Sequence, residues 1–175
     1  MAEKGPKWVE VESSPKPTTP ARPLGIYPAR VDEKGRLKLP SDFQQYLGSR
    51  FAGEGSDARV FITSLDLRIA RIYTIPVWEE NEKLLENDID DPQGARALQF
   101  LAKAYGGASE IDSQGRVLVP SELRKKLNLE GQPVWLDWYR DGIDVLTKEE
   151  YEEKLGLAHE NPADRARRFE RKGLR

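Results

Sequence analysis

"VDEKGRLKLPSDF" occupies residues 31–43, and "IDSQGRVLVPSEL" occupies residues 111–123, eighty positions further on. Asp32/Asp112, Gly35/Gly115, Arg36/Arg116, Pro40/Pro120 and Ser41/Ser121 are identical, while Val31/Ile111, Leu37/Val117, Leu39/Val119 and Phe43/Leu123 keep the same apolar character. Each copy decodes in the same order. Asp and Gly favour a tight turn, because an Asp carboxylate bonds nearby backbone amides and Gly accepts positive φ. The residues from Arg36 to Leu39 then alternate charged and apolar, as a strand with one wet and one dry face does. Pro40 and Pro120 stop the strand and suit the first turn of a helix, "SDFQQYL" or "SELRKKL". Gly48 and Asn128 stand where those helices are expected to finish in a left-handed cap.

The likeness resumes at a shorter spacing, where "IYTIPVW" from Ile72 pairs with "VLTKEEY" from Val145 at an offset of 73. The first copy therefore carries seven extra residues in its middle loop or hairpin. Strands are expected near 60–65, 69–75, 134–139 and 143–146, with Arg140–Gly142 as a hairpin turn, and helices from about Pro76 and Lys148. A half of roughly fifty residues is too small to bury a stable core alone, so the two halves must share one, related by a pseudo-two-fold. Between them, residues 85–106 are expected to connect, with a helix from Pro92 to Tyr105 presenting Ala95, Leu98, Leu101 and Ala102 on one face. The expected plan is a disordered Pro-rich arm (1–23), a first repeat (24–84), the connector (85–106), a second repeat (107–155) and a basic tail (156–175).

Composition narrows the chemistry. There is no cysteine, which excludes disulfides and thiolate sites, and the one histidine, His159, lies in a polar stretch and reads as solvated rather than as a ligand. The repeated Asp and Arg offer no nucleophile and base pair, no phosphate loop and no metal spacing, so an enzyme, a metal and a cofactor are not expected. No apolar run is long enough for a bilayer and Met1–Val11 does not resemble a signal peptide, which makes the cytoplasm the default and a membrane partner unexpected. The net charge of −2 gives no global attraction to nucleic acid. Its distribution is uneven: residues 79–91 are acidic, residues 165–175 are basic, and Arg30, Lys34, Arg36 and Lys38 crowd the first motif.

With these residues the chain, over about Gly25–Leu155, resembles the MraZ family, whose members carry two D-x-x-x-R motifs in a swapped-hairpin β-barrel similar to AbrB-type DNA-binding proteins. The resemblance implies an α+β, mostly β, pseudo-two-fold barrel with short helices. It also implies a transcriptional repressor of the cell division and cell wall gene cluster, nucleoid-associated, binding repeated promoter elements on double-stranded DNA as a ring homo-oligomer. Gln44 departs from the family, which usually has Arg there.

Arg36 and Arg116 follow a turn at the start of a strand, where each guanidinium can bind phosphate or guanine, or else pair with its own Asp32 or Asp112 four residues back. Asp32 and Asp112 fit a structural role, since a carboxylate repels phosphate, and Gly35 and Gly115 fit a backbone requirement. Lys34, Arg30 and Lys38 are further candidates for DNA contact or for a solvated surface. Gln114 replaces Lys34 in the second copy, so the first half is expected to be the stronger DNA reader. Trp78, Trp135, Trp138 and Tyr139 are assigned to core or subunit contacts rather than base stacking, and the acidic stretch 79–91 is expected to point away from any DNA face. A second class of function is a ring-forming interaction protein or an antitoxin-like AbrB relative whose main partner is a protein.

Overall fold

The computed structural model describes residues 20–51 and 58–175. The first repeat supplies β1 (Ile26–Arg30), β2 (Arg36–Lys38), α1 (Ser41–Phe51), β3 (Arg59–Thr63), β4 (Ala70–Thr74) and α2 (Ile75–Glu86). After α3 (Pro92–Tyr105) come β5 (Gly107–Glu110), β6 (Arg116–Leu118), α4 (Ser121–Leu127), β7 (Pro133–Tyr139), β8 (Gly142–Leu146), α5 (Lys148–Ala158) and α6 (Pro162–Glu170). The fold is α+β. Of the arm expected over 1–23, residues 1–19 lie outside the described residues. The basic tail contains a helix, α6, opened by Pro162 in its first turn.

Six strands form one antiparallel sheet in the order β1-β7-β8-β4-β3-β5, and β2 pairs with β6 in a separate two-stranded ribbon. Exchanging the repeats reverses the six-strand order onto itself. The register obeys the same two-fold: Ala29 faces Val134 as Ser109 faces Val60, and Ala70 faces Val145 as Ile143 faces Ile72. Each repeat thus lends its first strand to the other's sheet edge. The described strands do not close into the barrel that the resemblance implies. The ribbon strands are three residues long, and β2 meets the β1 end of the large sheet through the single Val31–Leu37 bridge, too little ladder to seal a cylinder.

Side-chain alternation divides the large sheet into two faces. Val60, Ile62, Ile72, Val134, Leu136, Ile143 and Val145 face inward to meet Leu37 and Val117 of the ribbon, Phe43 and Leu47 of α1, and Leu123 of α4. Phe61 and Tyr73 face the other way and pack with Trp78 of α2 and Ala102 of α3. Trp78 stacks on Phe61 at 4.4 Å between ring centroids, and its counterpart Tyr151 on α5 stacks on Trp135 at 4.7 Å, nearly parallel. Trp138 meets Tyr46 edge-on at 4.8 Å. Trp78, Trp135 and Trp138 are thus internal contacts, while half-exposed Tyr139 lies beside the Arg71 and Arg140 guanidinium groups.

Asn128 takes the left-handed cap expected of it, with φ 51° and ψ 51°. Gly48 does not: α1 runs through it to Phe51. At β3 the offset between repeats has already fallen from 80 to 74, as Val60 corresponds to Val134, so the extra residues of the first repeat lie chiefly before β3 rather than in its hairpin. On α3 the buried residues are Ala95, Gln99 and Ala102, with Leu98 and Leu101 only half-buried. Gln99 is tolerated inside because its amide donates to Glu86 Oε1 at 3.1 Å and accepts from Arg96 Nη1 at 3.0 Å. The β7–β8 hairpin turns on Arg140 and Asp141, both at positive φ, as a two-residue loop of the I′ type requires.

Candidate nucleic-acid interface

The two motif turns are the same object built twice. Asp32 Oδ1 accepts from the backbone N–H of Lys34 and of Arg36, both at 2.9 Å, and Asp112 Oδ1 accepts from Gln114 and Arg116 at the same distances. The backbone closes each loop, Gly35 N–H donating to Asp32 O and Gly115 N–H to Asp112 O at 2.9 Å. Both glycines sit at positive φ, +82° and +73°. A carboxylate at the first position, a glycine at the fourth and an amide at the fifth are what this loop needs. The Arg36 backbone amide is the main influence holding the Asp32 carboxyl below the usual carboxylate range, against desolvation, with the Arg36 guanidinium and the Lys34 amide adding to it. The Arg116 amide and then its guanidinium do the same for Asp112.

The turns also hold each other. Leu39 N–H donates to Gly115 O and Val119 N–H to Gly35 O, each at 2.9 Å, so each repeat's loop is hydrogen-bonded to the other repeat's strand. Over Gly35 lies the Arg124 side chain, whose Nη1 donates to Val119 O at 2.8 Å. Over Gly115 lies Gln44, whose amide donates to Leu39 O at 2.6 Å. Gln44 and Arg124 occupy equivalent places in the two repeats, so the departure from Arg at 44 keeps the cover and its carbonyl bond. It lacks the ion pair that Arg124 makes with Glu130 at 3.1 Å.

Arg36 and Arg116 take the second of their two sequence readings, each pairing with its own Asp. Each Nε donates to its own Asp Oδ2 at 2.8 Å, which orients the guanidinium and leaves Nη1 and Nη2 without a partner among the described residues. The arginine side chains are about one-third exposed, 35% and 28%. In the ribbon Arg36 faces Leu118 and Lys38 faces Arg116. With Leu37 and Val117 turned into the core, the outer face carries Arg36, Lys38, Arg116 and Leu118 together. Lys34 and Gln114 are exposed at the loop tips, while Arg30 is exposed at the end of β1, outside the ribbon and one residue from the Val31–Leu37 bridge.

Leu118 was not among the candidate residues of the sequence, although the alternation of buried Val117 and Val119 around it marks its position as wet. Its counterpart in the first repeat is Lys38. The acidic helix α2 packs, through Trp78 and Val77, on the Phe61 and Tyr73 face of the large sheet, opposite the face on which the ribbon sits. Among the described residues no group of three or more His, Asp or Glu side chains is arranged to hold a metal, and no helix is long and apolar enough to cross a membrane.

No family model matches the chain. Curated relatives do. The transcriptional regulator MraZ of Acidobacterium capsulatum is 33% identical over 133 residues, covering 76% of this chain and 87% of the relative. The MraZ regulators of Koribacter versatilis and Caldanaerobacter subterraneus are 34% and 30% identical, over 62% and 74% of this chain and 71% and 84% of the respective relatives. With its two motif turns interlocked across a shared core, the chain belongs to the MraZ family of transcriptional regulators.

Proposed function

We propose that this protein binds promoter DNA through the β2–β6 ribbon and represses the cell division and cell wall gene cluster. The observation that carries the reading is the common orientation of Arg36 and Arg116 on the outer face of one two-stranded ribbon, each held by its own Asp with both Nη groups free among the described residues. A ribbon of this width fits the major groove of B-DNA, where Nη1 and Nη2 of arginine can bond guanine O6 and N7 or span a phosphate. Lys38 and Lys34 add cations to the same face and its rim, and Arg30 extends the basic edge. The repeat units 24–84 and 107–155 then act as the two halves of one reading head. A swapped-hairpin arrangement of the AbrB kind accounts for the exchange of β1 and β5.

A single head neutralises few phosphates. Several copies in a ring, each engaging one of a series of repeated promoter elements, gain affinity by multivalency and retain a steep salt dependence. The protein works in the cytoplasm, on the nucleoid, with the acidic α2 turned away from DNA.

The test is a gel shift on duplex from upstream of the chain's own gene, comparing the parent with the Arg36→Ala, Arg116→Ala double variant. The expected result is loss of the specific shift and a salt slope smaller by about two, one for each phosphate-equivalent contact removed. Equal binding by a folded double variant would show that the arginines do not read DNA. Light scattering of the parent checks the ring.

A further inference from the structure

The pseudo-two-fold relates the two halves of the ribbon, yet their outward side chains differ. Arg36 matches Arg116, but Lys34 is matched by Gln114 and Lys38 by Leu118. Leu118 is 52% exposed on a face otherwise made of Arg36, Lys38 and Arg116. Half-exposed Leu118 is not a residue of the core, which Val117 and Val119 supply from that strand, and it breaks the cationic character that its counterpart Lys38 gives the other half of the face.

The chemistry of the two substitutions points the same way. Lysine donates to guanine or phosphate. Glutamine can bond adenine N6 and N7 bidentately, and an apolar side chain in the major groove finds its contact in the thymine C5-methyl group. Gln114 sits at the loop tip with its backbone amide tied to Asp112, its exposed side chain uncommitted to any other described residue, and Leu118 lies on the same half of the ribbon.

Resting on the reading of the ribbon as a DNA-binding element, we infer that the second-repeat half is a reader of A·T pairs, with Leu118 on a thymine methyl and Gln114 on adenine, while the first-repeat half serves guanine and phosphate. The head is then directional. One protomer distinguishes the two ends of its element, although its backbone is nearly symmetric.

Thymine-to-deoxyuridine replacement removes that methyl group and leaves base pairing intact. The probe is the upstream duplex bound by the parent protein, resynthesised with deoxyuridine at each thymine in turn. The parent is expected to lose affinity about fourfold where Leu118 makes its contact, the loss expected for one buried methyl-sized group. Leu118→Ala is expected to bind the thymine duplex about fourfold more weakly and to be indifferent to the same replacement. Gln114→Ala is expected to relax the preference for adenine at a neighbouring pair while keeping the deoxyuridine effect. Equal binding of thymine and deoxyuridine duplexes by the parent overturns the inference and leaves the DNA-binding reading standing. Absence of binding to any duplex overturns both. A Leu118→Ala variant of altered mass in light scattering also overturns it, by making Leu118 a contact between copies.

Discussion

The Arg124 side chain lies across Gly35, so a Cβ at residue 35 would run into the guanidinium. Arg124 cannot easily yield, because Nη1 is bonded to Val119 O at 2.8 Å and Nε to Glu130 at 3.1 Å. The backbone at Gly35, with φ +82°, adds its own cost for an L-residue. Gly35→Ala is therefore expected to destabilise the protein by about 2–3 kcal/mol, roughly 1–2 from the left-handed backbone and the rest from displacing Arg124. Urea unfolding monitored by tryptophan fluorescence measures it, and a change below 0.5 kcal/mol, about the size of an ordinary surface substitution, would contradict it.

Gln44 offers the complementary case in the other repeat. Gln44→Ala strips the cover from Gly115 and leaves Leu39 O without its 2.6 Å donor. The expected cost is about 1 kcal/mol. Gln44→Arg copies the arrangement at Arg124 and is expected to fall within about 0.5 kcal/mol of the parent. Thermal unfolding of the three proteins settles the order, and an Arg variant weaker than the Ala variant would show that the two covers are not equivalent.

The doubled turn was legible because its chemistry is local: Asp32, Gly35 and the amide of Arg36 act within five residues, and the same is true eighty positions on. Alternation tells which side chains of a strand share a face, and it was the signal available for Leu118, which the sequence reading left unused. It carries no information on which strand lies beside which, so the exchange that seats β1 against β7 and β5 against β3 emerges only from the assembled sheet. Gly48 misled for a related reason. A glycine permits a left-handed cap without requiring one, and Ser49, Arg50 and Phe51 continue α1 beyond it. On α3, apolarity ranked Leu98 and Leu101 above Gln99, whose partners Glu86 and Arg96 come from the α2 end and the preceding turn.

Acid should loosen the two motif turns. The carboxyls of Asp32 and Asp112 titrate below their ordinary value when folded, so the stability they contribute is fully present above the unfolded value near pH 4 and is lost as the pH falls through the lowered folded values. The double variant Asp32→Asn, Asp112→Asn keeps an oxygen for the Lys34, Arg36, Gln114 and Arg116 amides but no longer titrates. Its stability is expected to start lower at pH 7 and to change less between pH 5 and pH 2 than that of the parent. Parallel stability profiles over that range would refute the assignment.

Asp137 and Asp144 are direct cross-strand partners on β7 and β8, and both carboxyls are held above their ordinary range, chiefly by burial. Arg71 and Lys154 oppose the shift in each, Arg71 lying 3.4 Å from Asp144, while Asp66 adds to it at Asp144. Raised folded values mean that the pair favours the fold most when protonated, below about pH 4, and that this advantage disappears as the pH rises through those values. Above those values two like charges face each other across the ladder. Asp137→Asn is expected to stabilise the protein there by about 0.5 kcal/mol, the scale of a cross-strand pair, leaving Arg71 and Lys154 to Asp144 alone. The gain should shrink to nothing by pH 4. Denaturant titrations at pH 7 and pH 4 test both parts, and a variant less stable than the parent at pH 7 would mean that Asp137 serves Lys154 and Arg71 more than it burdens Asp144.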